Sequence, residues 1–283
     1  MNRRNPLAAV VLAAAAGIGL AFSPSPAAAM TGGRELPEPG AAPWMATFAV
    51  KGTQPLLDRA SCGGTLVAPD RVLTAGHCLA GLDPAKLEVH LGASVLSTNP
   101  GKVVEISRAV IAPGYEIIPS PLAPNDPNRA SAKNDLAVVV LETPVTDVRP
   151  VPIGSTRPGP DTPIAVYGHG LTADPSKPSN GDIRGDVLRR GDLTTIDHNS
   201  CVASTPAVVD EKSTVCAQDP AGAPVVGPCY GDSGGPAIAT TNGRDELVGV
   251  FSFGGETAGK LCGDPAASAF ADPTSVRRWV LTA

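Results

Sequence analysis

The sequence predicts an all-β fold, and three observations carry that prediction. Its apolar runs are short, clusters of Pro, Gly, Asn and Asp separate them, and a helical pattern emerges only at the C-terminus. With 31 Gly and 30 Pro in 283 residues, the punctuation suits a barrel or sandwich better than βαβ units.

The first 29 residues are set apart as a signal peptide. Arg3 and Arg4 form a positive start, Leu7 to Phe22 is an apolar run, and Ala27, Ala28 and Ala29 supply a small-residue cleavage site. The run has 16 residues and ends in Ser-Pro-Ser-Pro, short for a membrane span of about 20. Strands are then expected at Trp44–Val50, Thr65–Val67, Leu87–Leu91, Val103–Val110, Leu136–Leu141, Pro163–Tyr167, Pro236–Ala239 and Leu247–Phe253. Asp272-Pro273 reads as an N-cap with proline in the first turn. Val276, Trp279 and Val280 then share one face, so a helix is expected over roughly 273–282. Two breaker-rich stretches, 113–133 and 172–185, read as long surface loops, either functional or tolerated insertions.

Charge and cysteine content exclude several function classes. Without Arg3 and Arg4 the expected mature chain (30–283) carries 20 basic and 27 acidic residues, a net charge of −7. Such a surface offers no basic footprint for nucleic acid, and no second apolar run calls for a membrane. All six cysteines (Cys62, Cys78, Cys201, Cys216, Cys229 and Cys262) follow the cleavage site. An even number on an exported chain argues for disulfides. A metal site is disfavoured, since no C-x-x-C pair or closely spaced His accompanies them. Six cysteines allow 15 connectivities.

Chemistry concentrates in three segments. Cys229-Tyr230-Gly231-Asp232-Ser233-Gly234-Gly235-Pro236 places a serine among glycines, which let backbone N–H groups approach an oxygen that becomes negative during acyl transfer. A serine hydroxyl needs a base and an orienting acid. His77 stands in Thr74-Ala75-Gly76-His77-Cys78, and Asp135 stands in Asn134-Asp135-Leu136-Ala137 at the mouth of an apolar strand. Alone, the first is an ordinary polar residue and the second an ordinary strand-edge cap. With Ser233 they form a His, Asp, Ser series.

In these segments the chain resembles the trypsin/chymotrypsin family of secreted serine endopeptidases over essentially all of 30–283. The resemblance implies two six-stranded antiparallel barrels, roughly 45–150 and 160–271, and a site in the cleft between them. It implies Ser233 as nucleophile, His77 as general base and acid, and Asp135 as the acid that orients His77. The N–H groups of Gly231 and Ser233 would form the oxyanion hole, where one donor is worth about 3 kcal/mol. It further implies the disulfides Cys62–Cys78, Cys201–Cys216 and Cys229–Cys262, the last two bracing the substrate pocket. Ser252 would lie beside Asp135, and Phe253 and Gly254 would supply the strand that pairs with substrate. His90, His169 and His198 match no catalytic position. The expected partner is a peptide or protein substrate of a secreted monomer, with no cofactor and no metal. A silent binding protein of the family would have lost a triad residue. An esterase of the α/β-hydrolase type would carry the order Ser, Asp, His.

The family's activating amine would pair with Asp232. Here the expected cleavage falls before Met30-Thr31-Gly32-Gly33, so signal peptidase itself would create that terminus. The pocket-base position, aspartate in trypsin-like members, is Gly227. A neutral base in a pocket walled by Gly254 and Ser268 suits apolar side chains, and glycine deepens it for aromatic, Leu or Met groups. Asp264 and Glu256 fall near the pocket mouth and would favour a basic group. Selectivity among apolar groups should be broad, at about 1–3 kcal/mol per methylene. Two milder departures are His169, where the family usually has Trp, and one extra residue between Gly33 and Pro43.

Overall fold

The structure, a computed structural model, describes residues 30–126, 129–179, 181–205, 207–222, 225–254 and 262–283. The proposed leader therefore lies outside the described residues, as does Glu256. A two-residue strand, β1 (Arg34–Glu35), precedes the first sheet. That sheet is built from β2 (Met45–Val50), β3 (Ala60–Ala68), β4 (Arg71–Thr74), β5 (Leu87–Leu91), β6 (Lys102–Val104), β7 (Ile106–Ile111) and β10 (Ala137–Leu141). Its order is β6-β5-β2-β3-β4-β10-β7, antiparallel throughout. The run expected over 103–110 is interrupted at Glu105. Its first half pairs with β5 and its second half with β10, so the two ends of the sheet are halves of one bent segment. This is how a curled sheet wraps its apolar face around Phe48, Leu66, Leu73, Val89 and Val138.

The second half contains β11 (Pro163–Gly168), β12 (Arg189–Ile196), β13 (Thr214–Gln218), β14 (Pro236–Thr241), β15 (Arg244–Gly254) and β16 (Ser268–Ala271). The order β12-β11-β14-β15-β16-β13 closes through a β12–β13 pairing into a six-stranded barrel, with β1 added on β12. Ile164, Leu193, Val215, Phe251 and Phe270 fill it. Phe251 and Phe270 face each other across β15 and β16 with ring centroids 5.6 Å apart, in the range where aromatic pairs gain beyond their area.

Sequence expectations met the structure unevenly. Leu87–Leu91 is a strand with those ends, and β2, β10, β11, β14 and β15 lie within a few residues of expectation. The stretch 113–133 is not all loop, since β8 (Glu116–Ile118) and β9 (Ser131–Lys133) pair within it. Two short helices, α1 (Leu56–Arg59) and α2 (His198–Ser204), were not expected. The C-terminal helix, α3 (Arg277–Thr282), begins later than 273 and has no side-chain cap. The Asp272 carboxylate is engaged one turn earlier, accepting from the N–H and hydroxyl of Thr274. Trp279 and the fully buried Val280 still dock on the core of the first sheet.

The halves are interlocked. Ile238, Leu247 and Val250 of the barrel belong to the same apolar cluster as Phe48 and Leu66. At one edge, Val95 bridges Val187, Leu96 N–H donates to the Asp186 carbonyl (2.9 Å) and Leu188 N–H to the Ser94 carbonyl (2.8 Å). The Asp186 carboxylate accepts from both the N–H and hydroxyl of Ser97, and Arg184 pairs with Asp58.

Candidate active site

His77 stands just beyond the end of β4, in a tight turn where Cys78 N–H donates to the Ala75 carbonyl and Leu79 N–H to the Gly76 carbonyl. The disulfide Cys62–Cys78 ties this turn to β3. Gly76 leaves room for the approaching acid, because a Cβ there would lie 3.1 Å from Asp135 Oδ1. Asp135 is presented by Asn134, which adopts a left-handed backbone (φ +47°) that short polar side chains tolerate best after glycine. Asn134 is held in it by the Ser213 hydroxyl, which accepts its N–H, and by the Gly114 carbonyl, which accepts from its Nδ2.

The Asp135 carboxylate is 1% exposed and accepts three hydrogen bonds. His77 N–H donates to Oδ1 at 2.8 Å, His77 Nδ1 to Oδ2 at 2.7 Å, and Ser252 Oγ to Oδ2 at 2.5 Å. Burial alone pushes this carboxyl up. The His77 hydrogen bond and charge, with the Ser252 hydroxyl, more than offset it and hold the group below the usual aspartate range. An acceptor-only partner puts the ring proton on Nδ1, so Nε2 is the basic nitrogen. Nearby, burial and the Asp135 charge push Tyr115 up to about 12.

Ser233 lies in the turn before β14. Gly235 N–H donates to the Asp232 carbonyl, Gly234 N–H to the Phe251 carbonyl, and the Ser233 carbonyl accepts from Gly63 of β3 at 2.7 Å. Gly234 has φ +79°, and a Cβ there would come within 2.4 Å of the Gly63 carbonyl oxygen. The serine turn is thus pressed onto the strand that leads to His77, so the two halves present their chemistry to one place. Among the described residues, neither the Gly231 nor the Ser233 N–H donates to another protein group. Two unengaged donors on either side of Asp232 in the serine turn are groups of the kind a developing oxyanion needs.

His77, Asp135 and Ser233 all line one cleft of about 470 Å³. Gly227, Ser252, Phe253, Gly254 and Ser268 line it too, so these five residues read from the sequence border one cavity. Gly231 borders a second, smaller hollow of about 20 Å³ with Cys62, Gly63 and His169. Cys229–Cys262 forms part of the cleft wall, and Cys201–Cys216 packs behind Phe253. Asp264 is at the cleft, where it pairs with Lys177 of the 172–185 stretch at 2.8 Å. The β8–β9 pair brings Ile117 and Ala132 to the cleft as well.

Asp232 is also 1% exposed. Gly170 N–H donates to Oδ1 and Cys229 N–H to Oδ2, each at 2.8 Å. Among the described residues no cationic side chain pairs with it, and burial pushes it up to about 7 against the pull of the two N–H groups. Met30 is wholly buried in the barrel core. His90 and His169 are away from this chemistry. His90 lies against the Pro100 carbonyl and Glu88, while His169 lies between the Gly185 and Ala93 carbonyls. His198 opens α2. The sequence reading missed Thr31 and Tyr115, both of which line the cleft. Neither carries a local signal. Asn134 did, since Asn before a buried acid at a strand mouth is a candidate left-handed hinge.

Comparison with known proteins agrees with this architecture. The trypsin family profile matches residues 31–280. Trypsin of Saccharopolyspora erythraea is 31% identical over 196 residues, covering 68% of this chain and 75% of that protein. Human kallikrein-11 is 30% identical over 220 residues, covering 77% and 68%. Among solved structures, neuropsin, a serine protease expressed in the limbic system of mouse brain, superposes with a TM-score of 0.67 at 25% identity. That match covers 89% of this chain and 98% of neuropsin.

Proposed function

The chain belongs to the trypsin family and is a serine endopeptidase of chymotrypsin-like fold; from that premise we propose that His77, Asp135 and Ser233 cut peptide bonds through an acyl-enzyme. The observation that carries this reading is the convergence of all three side chains on one cleft, with His77 Nδ1 committed to a buried carboxylate. Ser233 Oγ attacks the scissile carbonyl while His77 Nε2 takes its proton. The oxyanion that forms accepts from the N–H groups of Gly231 and Ser233. Collapse breaks the C–N bond, and the departing amine takes the proton back from His77. Water then repeats the sequence on the ester and restores the serine. Asp135 stays ionised throughout and stabilises the imidazolium.

Substrate enters a cavity whose base is uncharged. Gly227 has no side chain and Ser268 is neutral, so apolar side chains are favoured over Lys or Arg. Asp264 is already paired with Lys177. The protein is proposed to act as a secreted monomer without a cofactor. Removal of residues 1–29 would free the Met30 amine to pair with Asp232; N-terminal sequencing of secreted protein tests this, and a start other than Met30 removes it. Among the described residues no helix is long and apolar enough to cross a membrane.

The mechanism is tested with a fluorophosphonate that reacts only with an activated serine. Wild type should be labelled stoichiometrically, and Ser233→Ala should lose both labelling and peptide hydrolysis. Undiminished labelling of Ser233→Ala would place the nucleophile elsewhere.

A further inference from the structure

Gly227 has no side chain to close the pocket, so something else must. A Cβ added at Gly227 would meet only Ser268 Oγ, at 3.8 Å, which means that the residue faces open space. Thr31, the second residue of the expected mature chain, lines the same cavity. It is 7% exposed and antiparallel to Gly227 in an isolated bridge: Gly227 N–H donates to the Thr31 carbonyl at 3.1 Å, and Thr31 Oγ1 donates to the Gly227 carbonyl at 3.1 Å. Its methyl packs behind, since a Cβ at Gly263 would lie 3.3 Å from Thr31 Cγ2. Gly263 follows Cys262, the cysteine that closes the wall onto Cys229.

We propose that Thr31 is the floor of the substrate pocket and sets the length of the side chain that enters it. This deepens the function proposed above and rests on the cleft being the substrate pocket. Two consequences follow from the chemistry of the residue. Its hydroxyl proton is committed to a backbone carbonyl, so the floor offers no donor to a substrate acid and no charge to a substrate base. Its side chain lines the cavity beyond the space that Gly227 leaves open, so the cavity ends at a β-branched residue held by one side-chain and one backbone hydrogen bond. The substrate class is therefore a peptide with a long or aromatic apolar side chain, such as Leu, Met or Phe, rather than Lys or Arg. The floor also belongs to the N-terminal segment, 196 positions from the residue it bridges. Substrate choice and seating of the new terminus thus share one residue.

The experiment compares kcat/KM for a matched pair of peptides, Phe against Ala at the cleaved position, in each purified variant. A ratio is independent of how much enzyme has matured. Thr31→Leu raises the floor and should lower the Phe/Ala ratio about tenfold, while Thr31→Ala lowers it and should raise the Phe/Ala ratio severalfold. Thr31→Val keeps the shape and should leave the ratio near wild type. If Thr31→Leu fails to mature, Thr31→Ala carries the test alone. Gly227→Asp serves as the separate check on the pocket itself, and should create cleavage after Lys and Arg. If it does not, the cleft is not the substrate pocket and both readings fall. If it does, but Thr31→Ala (and Thr31→Leu, where it matures) leaves the ratio within twofold of wild type, the floor assignment alone is overturned.

Discussion

Asp135, just before β10 of the first sheet, and Asp232, in the turn before β14 of the barrel, are the same side chain, each 1% exposed, yet the fold treats them oppositely. Asp135 receives an imidazole N–H, a hydroxyl and a backbone N–H, and is held below the usual range. Asp232 receives two backbone N–H groups and is pushed up to about 7. Burial penalises both charges; what differs is whether, among the described residues, a cation-capable partner stands beside the carboxylate. The first acid is complete as folded. The second has no cationic side chain beside it among the described residues, and the proposed occupant is the amine of Met30.

The largest effect should come from removing the complete acid. Asp135→Asn is expected to cost about four orders of magnitude in kcat, because the amide no longer holds the proton on His77 Nδ1. Steady-state rates on titrated enzyme check this, and a loss below tenfold would mean that Asp135 does not orient His77. The same carboxyl stabilises the fold above about pH 4, and that contribution is lost as pH falls through its lowered folded value.

Asp232→Asn should come next, at about two to three orders of magnitude in kcat/KM, the size expected when an oxyanion donor is misplaced. The comparison sharpens further in two Ser233→Ala chains, one starting at Met30 and one at Ala29. In the longer chain the amine cannot seat, and Asp232 keeps a folded value near 7 against an unfolded one near 4. Its stabilising effect is then complete below about pH 4 and is lost as pH rises through 7. Urea midpoints at pH 4.5 and 8 should therefore fall in the longer chain and fall less, or not at all, in the chain that begins at Met30. Equal falls would break the assignment of the amine to Asp232. The smallest effect belongs to Ser252→Ala, which removes one of three donors to Asp135 and should reduce kcat about three- to tenfold.

The site was more legible in the sequence than the strands around it. The serine, histidine and aspartate segments are local, and each needs its glycines and small neighbours in adjacent positions. Strand β12 escaped notice because its inward residues are Arg189, Gly191, Leu193 and Thr195, which show no apolar alternation. Arg189 is buried there only because Glu35 and the Gly33 carbonyl receive its guanidinium. The β8–β9 pair hid inside a Pro- and Asn-rich stretch, where composition outweighed two short strands. The pocket floor could not be read at all, since nothing near Thr31 announces a partner at Gly227.

The edge where residues 94–97 run beside 186–188 has a mechanical consequence. Two bodies joined along a line of hydrogen bonds and a shared apolar core cannot rock without breaking several contacts together. The jaw is therefore set before a peptide arrives. The ordering cost of binding then falls on the peptide, which must straighten to fit a gap that does not close around it. A segment already extended and loosely tethered, such as an exposed loop or a frayed end, meets that demand most easily.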